Sequence, residues 1–225
     1  MSAGRVIAIV GAESTGKSTL ARSLADRIVT ETGLRCGVVA EYLREWCDQA
    51  NRTPRPDEQR DIAEEQLRRV RAATRAHDIV VADTMPLMVA VYSLHLFKDT
   101  ALVPMAIAAQ SEVALTLLTA LDLPWVADGL QRDGAHVREP VDRAVRDLLT
   151  AHDLGWSVIG GEGGARLEQA FAAITPLLAQ MVPARTGLFS GLAGREAAVR
   201  AWRWVCESCD VPDCEHRLLR SLKGR

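Results

Sequence analysis

Residues 6–18 constrain this chain more than any other stretch: Val6-Ile7-Ala8-Ile9-Val10 runs without a polar interruption into Gly11-Ala12-Glu13-Ser14-Thr15-Gly16-Lys17-Ser18. An apolar, β-branched run with no alternation reads as a strand covered on both faces, the pattern of a parallel sheet. Beyond the loop, Leu20, Leu24, Ala25 and Ile28 recur at helical spacing from Ser18 to about Val29, and Gly33 supplies a stop. Between that strand and that helix, Gly11 and Gly16 let the backbone wrap a phosphate with its N–H groups. Lys17 brings a mobile positive charge to the β- and γ-phosphates, and Ser18 offers a hydroxyl to Mg²⁺. Glu13, Ser14, Thr15 and Thr19 complete the loop. The expected ligand is ATP with Mg²⁺.

The rest of the chain repeats the alternation. Short strands are expected at Cys36–Ala40, Ile79–Ala82, Ala114–Thr119 and Trp156–Ile159. Between them, Asp57 is placed to cap a long helix, with Ala63, Leu67, Val70 and Thr74 on one face, ending near His77. Further helices are expected over Leu87–Phe97 and Val103–Glu112, through Val141, Ala144, Val145, Leu148 and Leu149, and from Leu167 to Leu178. Strands alternating with helices imply an α/β fold of the P-loop NTPase type. Its parallel, doubly wound sheet of about five strands carries helices on both faces and places its site at the carboxyl strand ends. That domain spans residues 1–182; a linker and a Cys/His tail occupy 183–225.

Several side chains fall on that strand-end edge. Asp83 follows the Ile79–Ala82 strand, as a second metal anchor beside Ser18 or as a cap for the helix after Pro86. Glu41 leaves the second strand, either to take a substrate hydroxyl proton or hold a ribose, or to pair with Arg44. Arg132 and Arg138 lie in a glycine-containing segment that reads as a lid whose cations balance charge on a transferred phosphoryl group. Tyr42, Trp46, Tyr92 and Trp125 stand out in a chain with only 4% aromatics; Tyr42, Trp46 and Trp125, with Arg44 and Asp128, are candidates to hold a flat acceptor, core packing being the alternative for each ring.

Lys+Arg of 27 against Asp+Glu of 29 gives a net charge of -2, which does not favour a nucleic-acid partner. No apolar run reaches membrane-spanning length and no signal peptide is evident, so a cytoplasmic location is expected. Five cysteines, three of them in the tail, do not suggest a disulfide framework. Cys206, Cys209, Cys214 and His216 instead offer four ligands suited to tetrahedral Zn²⁺, whose work would be to pin a tail too short for a core of its own; redox thiols or an untethered tail are the alternatives.

Taken together, Gly11-Ala12-Glu13-Ser14-Thr15-Gly16-Lys17-Ser18-Thr19, Glu41-Tyr42-Leu43-Arg44-Glu45, Asp83-Thr84 and Leu121-Asp122-Leu123-Pro124-Trp125-Val126-Ala127-Asp128-Gly129-Leu130 resemble the ribosylnicotinamide kinase domain of NadR-type proteins, a P-loop, AAA-like ATP-binding group. The resemblance covers roughly residues 5–180. It implies ATP-dependent phosphorylation of nicotinamide riboside to nicotinamide mononucleotide, a step of NAD salvage. Bifunctional members carry an adenylyltransferase domain with a His-x-Gly-His motif ahead of the kinase; this sequence has no such motif, so the resemblance is to the kinase half. The competing reading is a regulatory or assembly ATPase whose zinc tail engages a protein partner, and homo-oligomerisation is compatible with either.

Overall fold

The computed structural model describes residues 3–126 and 134–182. Five strands form one all-parallel sheet: β1 (Arg5–Val10), β2 (Cys36–Val39), β3 (Ile79–Asp83), β4 (Leu115–Thr119) and β5 (Trp156–Ile159), in the order β2-β3-β1-β4-β5. Parallel neighbours need a crossover, and the helices supply it: α1 (Lys17–Thr32), α2 (Tyr42–Ala50), α3 (Gln59–Ala73), α4 (Pro86–Phe97), α5 (Val103–Ser111), α6 (Arg138–Ala151) and α7 (Gly163–Met181). β1 is central, paired with β3 on one side and β4 on the other.

The unbroken apolar run of β1 is divided between two cores by the two-residue period of a strand. Ile7 and Ile9 join Leu20, Leu24 and Ile28 of α1 and Ala170, Ile174 and Leu178 of α7. Ala8 and Val10 join Met88 and Val91 of α4 and Val141, Val145 and Leu149 of α6. Both faces are therefore covered, which is why no polar residue alternates along the strand. Gly33 ends α1 in the left-handed region, φ 72°, and its N–H is accepted by the Val29 carbonyl.

Local details differ from the sequence reading. Residues 42–50 form a helix, α2, packed beside α3. Asp57 does not cap the long helix: it sits in a 3-10 turn, Pro56–Glu58, and Glu58 accepts the Arg55 N–H at 2.7 Å while Arg52 grips both its oxygens. The longer reach of glutamate lets it close the turn and pair with the guanidinium together. α3 ends at Ala73, short of His77, and its buried face carries Gln59 and Gln66 beside Ile62, Ala63 and Val70. The cap position of α4 is Met85, so the capping role considered for Asp83 does not hold.

Candidate functional site

Gly11 begins the loop at φ 144°, and a Cβ there would lie 2.2 Å from Thr119 Oγ1. Only glycine allows β4 to approach the loop this closely. The space holds a hydrogen-bonded pair, with Thr15 Oγ1 and Thr119 Oγ1 2.7 Å apart. Each hydroxyl has a single proton: Thr15 donates to the Ala12 carbonyl at 2.8 Å, which leaves Thr119 to donate to Thr15, with the Val10 carbonyl 3.2 Å from Thr119 Oγ1. The two hydroxyls tie the end of β1, the loop and β4 together in a fully buried setting. Lys17 Nζ folds back to the Ala12 carbonyl at 2.8 Å.

A second clasp comes from the segment after β4. Val126 N–H donates to Ser14 Oγ at 2.8 Å, holding Ser14 at φ 57°, and Gly134 N–H donates to Glu13 Oε1 at 3.2 Å. A third comes from α7. Arg166, 4% exposed, donates from Nη1 to the Thr15 carbonyl and from Nε to the Gly161 carbonyl, at 2.8 and 2.7 Å. Its Nη2 pairs with Asp122 Oδ1, and the other oxygen of Asp122 accepts Gly161 N–H at 2.6 Å.

From the loop a cleft of about 600 Å³ runs toward α2 and α4. One end is lined by the loop from Gly11 to Thr19, excepting Ala12, and by Arg22; the other by Glu41, Arg44, Gln59, Met88, Tyr92 and Phe97 among others. Met88, Tyr92 and Leu96 are four residues apart along α4 and so share one face of it, an apolar wall for the cleft. Cys47 also lines this end; burial pushes its thiol up to about 11, so it is a neutral wall residue rather than a nucleophile.

Asp83 lies level with Ile9 in the β1–β3 register and is 3% exposed; its Oδ1 is buried with no hydrogen-bond partner among the described residues. An orphaned buried carboxylate oxygen at a strand tip beside a phosphate loop fits a cation ligand. Thr84, held at φ 74° with its N–H on the Ile9 carbonyl at 3.1 Å, is the residue of this pair that lines the cleft. Gln66 supports both sides of that end: its Oε1 accepts Tyr42 N–H at 2.7 Å and its Nε2 donates to the Thr84 carbonyl at 3.3 Å.

Of the residues singled out from sequence, the loop residues, Glu41, Arg44 and Tyr92 are brought to one cleft. Glu41 and Arg44 approach to 4.0 Å, a loose pair. Tyr42 and Trp46 are not in its lining: Arg69 stacks on Tyr42 at 4.3 Å and Arg52 on Trp46 at 4.9 Å, and both rings pack against the cluster of Ile62, Val89 and Ala90. Arg138 is not a mobile lid cation. At the first residue of α6 it is 8% exposed and donates to the Leu123 carbonyl at 2.8 Å, bracing the segment that clasps Ser14. Trp125 is half-buried, its Nε1 buried with no partner among the described residues. Asp128, Arg132, Cys206, Cys209, Cys214 and His216 lie outside the described residues. Among the described residues no cluster of three His, Cys, Asp or Glu groups could hold a metal, and no helix is long and apolar enough to cross a membrane.

Sequence reasoning missed Gln66, Arg166 and Thr119. Gln66 left a signal, an amide on the apolar stripe of α3; the other two depend on partners 151 and 104 positions away.

The fold is shared with solved structures. A crystal structure of NadR protein in complex with NR superposes with a TM-score of 0.63 at 20% identity, over 80% of this chain and 52% of that one. A crystal structure of NadR protein in complex with NAD and AMP-PNP gives 0.59 at 20% identity, over 77% and 49%. The chain thus spans about half the length of those proteins. No curated protein sequence matches it. A family model described as an AAA domain matches residues 6–166, most of the chain, including the loop and all of the sheet but Arg5, and the protein belongs to that AAA domain family.

Proposed function

We propose that the protein is a P-loop kinase that transfers the γ-phosphoryl group of ATP to a hydroxyl of a small nucleoside-like acceptor, with nicotinamide riboside as the first candidate. The observation that carries this reading is the cleft itself. It joins a phosphate loop to a second compartment, walled by Met88, Tyr92 and Phe97 and edged by Glu41, Arg44 and Gln59, that an ATPase acting on water would not need. An apolar aromatic wall with a few polar groups suits a flat ring bearing a ribose. The NadR structures of the same fold hold NR in one case and NAD with AMP-PNP in the other, ligands of this chemical kind.

In this reading the loop N–H groups and Lys17 hold the β- and γ-phosphates, Lys17 leaving the Ala12 carbonyl to do so. Ser18 and Asp83 are the residues that would hold Mg²⁺, which when bound neutralises charge on the phosphates. Glu41, at the start of α2 and with its side chain 19% exposed, receives the proton of the acceptor hydroxyl. Arg44 lies 4.0 Å from Glu41 and lines the same end of the cleft. Arg22 and Lys17 are the cations of the described cleft placed to balance the transferred group.

The test is to incubate the protein with Mg-ATP and an acceptor panel led by nicotinamide riboside, following ADP and phosphorylated product by mass spectrometry. Product mass equal to acceptor plus one phosphoryl group is expected, and Lys17→Ala should abolish it. ADP formed at the same rate without any acceptor would replace this reading with the ATPase one.

A further inference from the structure

We infer that Arg166 is a positioning residue for nucleotide binding: through the Thr15 carbonyl it aims the Gly16 N–H at the phosphate. The inference rests on the phosphate loop being the nucleotide site. The Thr15–Gly16 peptide is trans, so its C=O and N–H point in opposite directions. The C=O is held at 2.8 Å by Arg166 Nη1, in a buried hydrogen bond, on the α7 side of the loop. The N–H is thereby turned to the other side, where Gly16 lines the cleft. A free loop peptide can flip, exchanging a donor for an acceptor at the anion; a carbonyl bound by a buried guanidinium resists that flip.

The arrangement is specific to arginine. Three nitrogens of one planar fork are used at once, on the Thr15 carbonyl, the Gly161 carbonyl and Asp122, a set of directions an ammonium cannot reproduce. Asp122 is itself aligned by Gly161 N–H, so the fork is fixed before nucleotide arrives. Arg166, Asp122 and Gly161 do not line the cleft, so Arg166 acts on the phosphate only through the Thr15 backbone it holds.

The experiment uses the full chain and three variants: Arg166→Lys, Asp122→Asn and, as a stability control, Leu178→Ala, which removes apolar volume from α7 far along the helix from the loop. Affinity for Mg-AMP-PNP is measured by calorimetry at a temperature where each is folded by circular dichroism, and KM and kcat are measured for ATP and acceptor separately. Losing one well-aimed donor to a charged group should weaken AMP-PNP binding by about 10-fold to 100-fold in Arg166→Lys. KM for ATP should rise with it, while KM for the acceptor stays within about twofold. Asp122→Asn, which keeps the fork but removes its opposing charge, should show a smaller loss in the same direction, and Leu178→Ala none. Wild-type affinity in both Arg166→Lys and Asp122→Asn, or an equal loss in Leu178→Ala, overturns the inference. If Arg166→Lys does not fold, undiminished binding by Asp122→Asn alone overturns it. Absence of AMP-PNP binding by the wild type would instead overturn the proposed kinase together with this inference.

Discussion

Gln66 offers a sharp test of how the acceptor end of the cleft is built. It is 2% exposed on α3, and its amide spans two main-chain groups that secondary structure leaves unpaired: Tyr42 N–H at the start of α2, at 2.7 Å, and the carbonyl of Thr84, at 3.3 Å. Gln66→Met keeps the volume and removes both bonds. The Thr84 carbonyl sits in a buried hydrogen bond, so its loss should cost about 1–2 kcal/mol; the Tyr42 N–H is half-buried and partly rehydrates, adding up to about 1. A total near 2 kcal/mol corresponds to a fall in Tm of about 4–8 °C for a domain of this size. Thermal unfolding followed by circular dichroism reads that directly. Because the same amide fixes Thr84 at φ 74° and the first turn after Glu41, KM for the acceptor should rise while KM for ATP holds. A Tm within about 1 °C of wild type would refute the claim that this amide carries two unpaired backbone groups.

Two further outcomes follow from the geometry. Gly11→Ala sets a Cβ 2.2 Å from Thr119 Oγ1 at a φ of 144°, and should destabilise by about 3 kcal/mol in urea unfolding; Thr119→Ala in the same chain should restore only part, because the dihedral strain remains. Acid titration should expose the arginine-paired carboxylates. Hydrogen bonds from Arg52, Arg68 and Arg35 hold Glu58, Glu65 and Asp78 down to about 2, below the ordinary 4.5 or 3.8, so their contribution is complete above about pH 4.5 and is lost as pH falls toward 2. All three are at the surface, so the slope of Tm against pH over that window should be shallow and should flatten further in high salt; a slope unchanged in Glu58→Gln would contradict the assignment for Glu58.

The features written into neighbouring residues were legible in the sequence. The β1 run, the phosphate loop and the apolar stripe of α1 are local patterns with local causes, and they specify strand, loop and helix without knowledge of the rest. The alternation of strands and helices implied a parallel sheet, since crossovers of that length leave no other pairing. Tertiary structure decided what each charged or aromatic side chain near the strand ends does. Tyr42 and Trp46 looked like stacking platforms because they follow β2, yet α2 turns them onto α3, where Arg69 and Arg52 cover them. Arg138 looked like a free cation because it follows a glycine, yet the start of α6 buries it against the Leu123 carbonyl. Arg166 carried no local signal at all, and its role exists only because α7 returns to the loop from which α1 leaves. Local sequence determines the backbone conformation of this loop; the partners that hold its peptide planes come from residues more than 100 positions away, brought close by burial of the sheet's two faces.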